Sequence, residues 1–89
     1  MKEWKIEFSK YSFKQLSKLD KPVQQLIRAW IRKYLKNTDD PRLYGKPLTG
    51  NLQGLWRYRV GDYRLVCRIH DAIVTIYIVE VGHRKEIYK

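Results

Sequence analysis

The chain is predicted to fold as an α+β domain of order β-α-α-β-β-β, a small antiparallel-rich sheet with two helices packed on one face. Three patterns predict it. Trp4, Ile6 and Phe8 alternate with Lys5 and Glu7, as a half-buried strand requires. Val23, Leu26, Ile27, Trp30, Ile31, Tyr34 and Leu35 recur at helical spacing. After Gly54 the chain reads as strands only, ending in the β-branched run Ile73, Val74, Thr75, Ile76, Ile78, Val79 and Val81. With 89 residues, 44% of them hydrophobic and 13% aromatic, residues 1–89 make one domain with enough apolar surface for a core.

The remaining elements follow in order. Phe13, Leu16 and Leu19 predict a short helix over Ser12 to Leu19. Asp20 is expected to cap the long helix, and Pro22 suits its first turn. The far side of that helix carries Arg28, Arg32 and Lys36, which read as solvated surface. Residues 37–54 read as a loop, pinned to the core by Leu43, Leu48 and Leu52. Strands are predicted over residues 55–60, 63–69 and 72–81. Cys67 falls mid-strand and reads as a small buried hydrophobe. One cysteine cannot make an internal disulfide, which fits a reducing, cytoplasmic location.

The charge limits the partners. Nineteen Lys and Arg against nine Asp and Glu give a net +10, which calls for an acidic partner such as nucleic acid. No run of apolar residues is long enough to span a bilayer, and Lys2, Glu3, Lys5 and Glu7 break any signal-peptide core, so no membrane partner is expected. Two histidines and one cysteine, well apart, do not make a metal site, and no cofactor motif is present.

The positive charge gathers on one hairpin. Gly61-Asp62 fits a two-residue turn with glycine first. Val60 then stands opposite Tyr63, Arg59 opposite Arg64 and Arg57 opposite Val66. Opposed residues share a face, so Arg57, Arg59, Arg64 and Arg68 lie on one side. Trp56, Tyr58, Val60, Tyr63, Leu65, Cys67 and Ile69 lie on the other, ready to meet the helix. Like charges directly across a strand pair cost a few tenths to about 1 kcal/mol each. With Glu80 expected on the opposite face, no acid balances the arginines, and a bound phosphate would. Arginine suits it, because its planar fork donates to two oxygens at once. A turn at His70-Asp71 would put Tyr77 opposite Arg64. Beyond Gly82 come His83, Arg84 and Tyr88; in a helical turn Arg84 and Tyr88 would be four apart, on one side.

The basic strand, the Gly61-Asp62-Tyr63-Arg64-Leu65-Val66 hairpin and the Val81-Gly82-His83-Arg84 strand end followed by Tyr88 resemble the RelE toxins of the RelE/ParE superfamily. The resemblance covers nearly the whole chain. It implies the toxin of a type II toxin–antitoxin pair, a metal-independent endoribonuclease that cuts mRNA in the ribosomal A site. It implies a cognate antitoxin as protein partner, with operator DNA reached only through that complex. Residue by residue, it assigns RNA or phosphate binding to Arg57, Arg59 and Arg64, and catalytic positions to Arg64, Arg84 and Tyr88, with His83 matching a histidine of some relatives. The best-known members carry lysines where this chain has Arg57 and Arg59. Arginine cannot release its proton, so neither residue can be a general base.

The implied chemistry is attack of a 2′-hydroxyl on the adjacent phosphate, which needs a proton acceptor, a proton donor and positive charge. Arg64 and Arg84 fit the clamp. His83 is near neutrality in its intrinsic pKa, and Tyr88 can stack on a base or take the 2′-proton. Two other functions remain open at this level: a ParE-like gyrase inhibitor, and a non-catalytic nucleic-acid-binding module.

Overall fold

A computed structural model describes residues 2–83 of the chain. Its sheet is five-stranded. β1 (Lys5–Phe8), β2 (Gly45–Pro47), β3 (Leu55–Val60), β4 (Tyr63–His70) and β5 (Thr75–His83) lie in the order β1-β5-β4-β3-β2. β1 runs parallel to β5 and every other pairing is antiparallel. α1 (Lys10–Ser17) and α2 (Lys21–Ile31) cover one face. Leu16, Ile27, Ile31 and Leu35 from the helical layer meet Trp4, Tyr58, Val60, Leu65, Cys67, Ile76, Ile78 and Val81 in a single core. The predicted class and the predicted face of the hairpin both stand.

Local chemistry moved several boundaries. α1 begins earlier than its apolar spacing suggested, because the Ser9 side chain accepts from the Ser12 amide at 3.0 Å and caps the helix. Asp20 occupies the cap position of α2, but its side chain makes no capping hydrogen bond. α2 continues into a wider π-type turn over Arg32–Lys36. The segment read as a loop contains β2, too short and too proline-marked to show in a periodicity. Leu43 and Leu52 do not pin that segment, being 69% and 49% exposed. Pro41 does: it is buried, and its carbonyl accepts the Tyr58 hydroxyl at 2.7 Å. The indole of Trp4 adds a bond to the Thr38 carbonyl at 2.9 Å. Cys67 is fully buried, and that burial pushes its thiol well above the ordinary range, as expected of a packing residue.

β2 lies tight on β3 because Gly45 has no side chain. A Cβ there would sit 2.8 Å from Cε1 of Tyr58 and 3.0 Å from the Arg57 carbonyl, and Tyr58 is too buried to move. Gly45→Ala is therefore expected to lower stability by about 1–3 kcal/mol, as overpacking does. A thermal melt checks this; an unchanged midpoint would show that β2 can shift outward freely.

Candidate phosphate-binding face

The Gly61-Asp62 turn sets the register as its chemistry predicts: Val60 pairs with Tyr63, Arg59 with Arg64 and Arg57 with Val66. Gly61 takes φ +60, a conformation that glycine adopts without strain. The three arginines therefore share the face away from the helices. Lys46 joins them, paired with Arg57 across β2 and β3. Together Tyr44, Gly45, Lys46, Arg57, Arg59 and Arg64 line a groove of about 200 Å³. Lys46 was missed in the sequence because its segment reads as loop; a lone Gly-Lys-Pro carries no strand signal. Tyr44, 45% exposed, presents an aromatic ring at the groove and packs against Tyr34 at 5.1 Å between ring centres, the rings tilted by 59°.

The arginines differ in setting. Arg59 and Arg68 are exposed and Arg57 is half-buried. Arg64 is only 6% exposed, so the face is not uniformly solvated as its charge pattern suggested. The Arg64 Nη1 donates to the Tyr63 carbonyl at 3.0 Å and to the Gly61 carbonyl at 3.5 Å. These contacts tie the guanidinium to the turn beside the groove that it lines.

The register of β4 on β5 differs from the one expected. His70-Asp71 is not a tight turn. The chain passes through a 3₁₀ turn at Asp71–Ile73 and through Val74 in the left-handed region (φ 46), so Thr75, not a residue nearer the turn, stands opposite His70. Tyr77 consequently faces Arg68, and Gly82 stands opposite Arg64. A bulge at Val66/Cys67 then shifts the pairing by one more residue: Cys67 pairs with Ile78, but Val66 pairs with Glu80. An unbroken ladder would have set Glu80 across from Leu65, on the core side. The bulge turns it instead onto the arginine face, overturning the expectation that no acid lies there. Glu80 and Arg57 both line a second, smaller groove of about 120 Å³ whose remaining walls are Leu48, Leu52, Leu55, Val66 and Val79.

The same register parts His83 from the arginines. It pairs with Tyr63, on the helix-side face, with the two rings edge-to-face at 5.5 Å. Arg84 and Tyr88 lie outside the described residues. Arg42, another cation missed in the sequence, forks onto Asp71 at 2.7 and 3.0 Å and lies over the Trp56 ring, which makes it part of the scaffold. Its hydrogen bonds hold the Asp71 carboxyl below its ordinary range. Among the described residues no three His, Cys, Asp or Glu side chains are gathered to share a metal ion. A larger hollow of about 690 Å³ opens on the helix side between β1 and α2. Arg28, Arg32 and Lys36 line it with Ile6 and Phe8, and all three are exposed, as expected of a solvated helix surface.

Comparison with known proteins agrees with this architecture. A family model described as the ParE toxin of the type II toxin–antitoxin system parDE matches residues 6–88. Toxin RelG of Mycobacterium tuberculosis is 44% identical over 50 residues, 56% of this chain and 58% of that protein. Toxin RelE of the same organism is 37% identical over 51 residues, 57% of this chain and 53% of that one. The match thus spans little more than half the length of these relatives. Among solved structures, the toxin–antitoxin complex RelBE2 of M. tuberculosis superposes with a TM-score of 0.85 at 30% identity, covering 93% of this chain and all of the matched one. The archaeal RelE-RelB complex of Pyrococcus horikoshii gives 0.70 at 25%, covering 93% and 97% of the two chains.

Proposed function

This chain belongs to the RelE/ParE family of type II toxin–antitoxin toxins, and we propose that within it the chain is a ribosome-dependent mRNA endoribonuclease acting in the A site. One observation carries the proposal: Lys46, Arg57, Arg59 and Arg64 line a single groove on the sheet face away from the core. Four cationic side chains lining one groove suit a phosphodiester backbone, which brings a negative charge at each phosphate. The 2′-hydroxyl attacks the adjacent phosphorus, giving a 2′,3′-cyclic phosphate and a free 5′-hydroxyl. Arg64, held by the turn carbonyls, clamps the reacting phosphate and meets the charge that develops on it. Arg57, Arg59 and Lys46 hold the flanking backbone. Tyr44 offers a ring on which a splayed base can stack. Arg84 and Tyr88 enter through the family resemblance, as a second clamp and as a group that stacks on a base.

The partner proposed is a cognate antitoxin, in keeping with the solved relatives, which include RelBE complexes. An acidic segment folding onto the toxin would neutralise a surface of this charge. The proposed location is the cytoplasm, where ribosomes are.

Mapping the 5′ ends of cellular transcripts after induction tests the proposal. Breaks inside translated codons, absent when translation is blocked, are expected. The matched family model is that of ParE toxins, which supports gyrase inhibition as a second reading. Intact transcripts together with lost supercoiling activity of purified gyrase would establish that reading in place of the first.

A further inference from the structure

The geometry assigns a proton acceptor for the proposed cleavage: we propose that Glu80 takes the proton of the attacking 2′-hydroxyl. The assignment rests on the ribonuclease reading and deepens it. Arg57, Arg59 and Arg64 cannot release a proton at any working pH, Lys46 is given to the flanking backbone, and His83 pairs with Tyr63 on the other side of the sheet. Glu80 is where a base is needed. It is the direct neighbour of Val66, whose other neighbour is Arg57. It is also the diagonal neighbour of Arg64, two residues before Gly82. Diagonal positions across an antiparallel pair are about 7–8 Å apart, within reach of long side chains. Gly82, directly opposite Arg64, carries no side chain to fill the space between them.

The placement is particular to this backbone. The bulge leaves Val79 as the extra residue and rotates Glu80 out of the core side, and bulges re-aim side chains in this manner beside functional sites. In its groove Glu80 meets Arg57 from β3 and the apolar walls Leu48, Leu52, Leu55, Val66 and Val79, while Arg64 from β4 lines the adjoining groove that Arg57 shares. On β1 the other acid of this face, Glu7, is set beside Tyr77 and pairs with Lys5 at 3.3 Å. Among the described residues, Glu80 is thus the carboxylate next to the phosphate-binding arginines.

In the step, the Glu80 carboxylate accepts the 2′-proton as the O2′–P bond forms. The P–O5′ bond breaks, and the leaving oxygen takes a proton from water. Protonated Glu80 then returns its proton to solvent, so the enzyme ends as it began. No oxidant, metal or further reactant is required.

The test is the single-turnover cleavage rate of ribosome-bound mRNA against pH, for wild type, Glu80→Gln and Glu80→Asp, with ribosome binding measured separately by co-sedimentation. Glu80→Gln is expected to bind as wild type does and to cleave about 10²–10⁴-fold more slowly. Its residual rate should lose the low-pH limb that base catalysis by a carboxylate would give the wild type. Glu80→Asp should keep that limb at a reduced rate, and it decides alone if Glu80→Gln fails to fold. A wild-type rate in either variant overturns the assignment. So does a slowed Glu80→Gln that keeps the limb, since that would make Glu80 a support for Arg57. A wild-type protein that leaves ribosome-bound mRNA whole is a different failure: it removes the ribonuclease reading and this assignment with it.

Discussion

Replacing Arg64 with alanine is expected to abolish growth arrest on expression and to slow mRNA cleavage by about 10²–10³-fold, the usual loss when one preorganised donor to a developing charge is removed. Arg64 is the most buried of the described arginines. It is 6% exposed, and its guanidinium is fastened to the carbonyls of Tyr63 and Gly61, so little reorganisation is needed as charge builds on the phosphate. The cost of fixing it was met when the hairpin folded. A mobile surface arginine such as Arg59 must lose its rotamer freedom at each encounter, so Arg59→Ala should cost less. The variant is expected to fold. The hairpin register depends on the Gly61-Asp62 turn and on Tyr58, Val60 and Leu65 on the opposite face, and no core contact is lost. Circular dichroism with a thermal melt, beside the cleavage assay, checks both halves. A folded Arg64→Ala variant that cleaves at the wild-type rate would remove this residue from the mechanism.

The strand pair carrying Arg64 was legible because two independent constraints agree on it. A glycine-first two-residue turn fixes the register, and alternation sorts seven apolar residues onto one face. Nothing of the kind marks the next pair. The connection from β4 to β5 uses a β-branched residue in the left-handed region, which composition argues against, and the bulge at Val66/Cys67 has no glycine or proline to announce it. Each shifts register, and register decides which face a side chain takes. Hence Tyr77 and Glu80 were both misplaced in the sequence, while Arg57, Arg59 and Arg64 were not.

β2 was illegible for another reason. Three residues cannot show a period of two, and Pro47 argues for a loop; only the bare backbone of Gly45 against Tyr58 allows the strand. Its omission hid Lys46. The arginine cluster was therefore recovered without its fourth cation and without the acid beside it. Those two groups add a fourth cation to the phosphate-binding groove and a carboxylate in the neighbouring groove, with Arg57 common to both.

The second large effect expected is on salt. Affinity for a single-stranded RNA falls with a log–log slope of roughly 0.7 for each phosphate neutralised. If Lys46, Arg57, Arg59 and Arg64 each meet one phosphate, the slope is close to −3, and raising salt from about 50 to 200 mM should weaken binding by roughly 50-fold. Ribosome binding should fall at least as steeply, since ribosomal RNA adds contacts to the same net charge. Lys46→Ala and Arg59→Ala, both at exposed positions, should each flatten the slope by about 0.7. Arg42→Ala should leave it unchanged, because that guanidinium is already committed to Asp71. Fluorescence anisotropy of a labelled single-stranded RNA across a salt series measures all three. The pattern separates the groove from the net +10 of the chain, which an unspecific polycation would use equally. If Arg42→Ala flattened the slope as much as Lys46→Ala, binding would be following total charge, and the groove would have no special claim on the backbone.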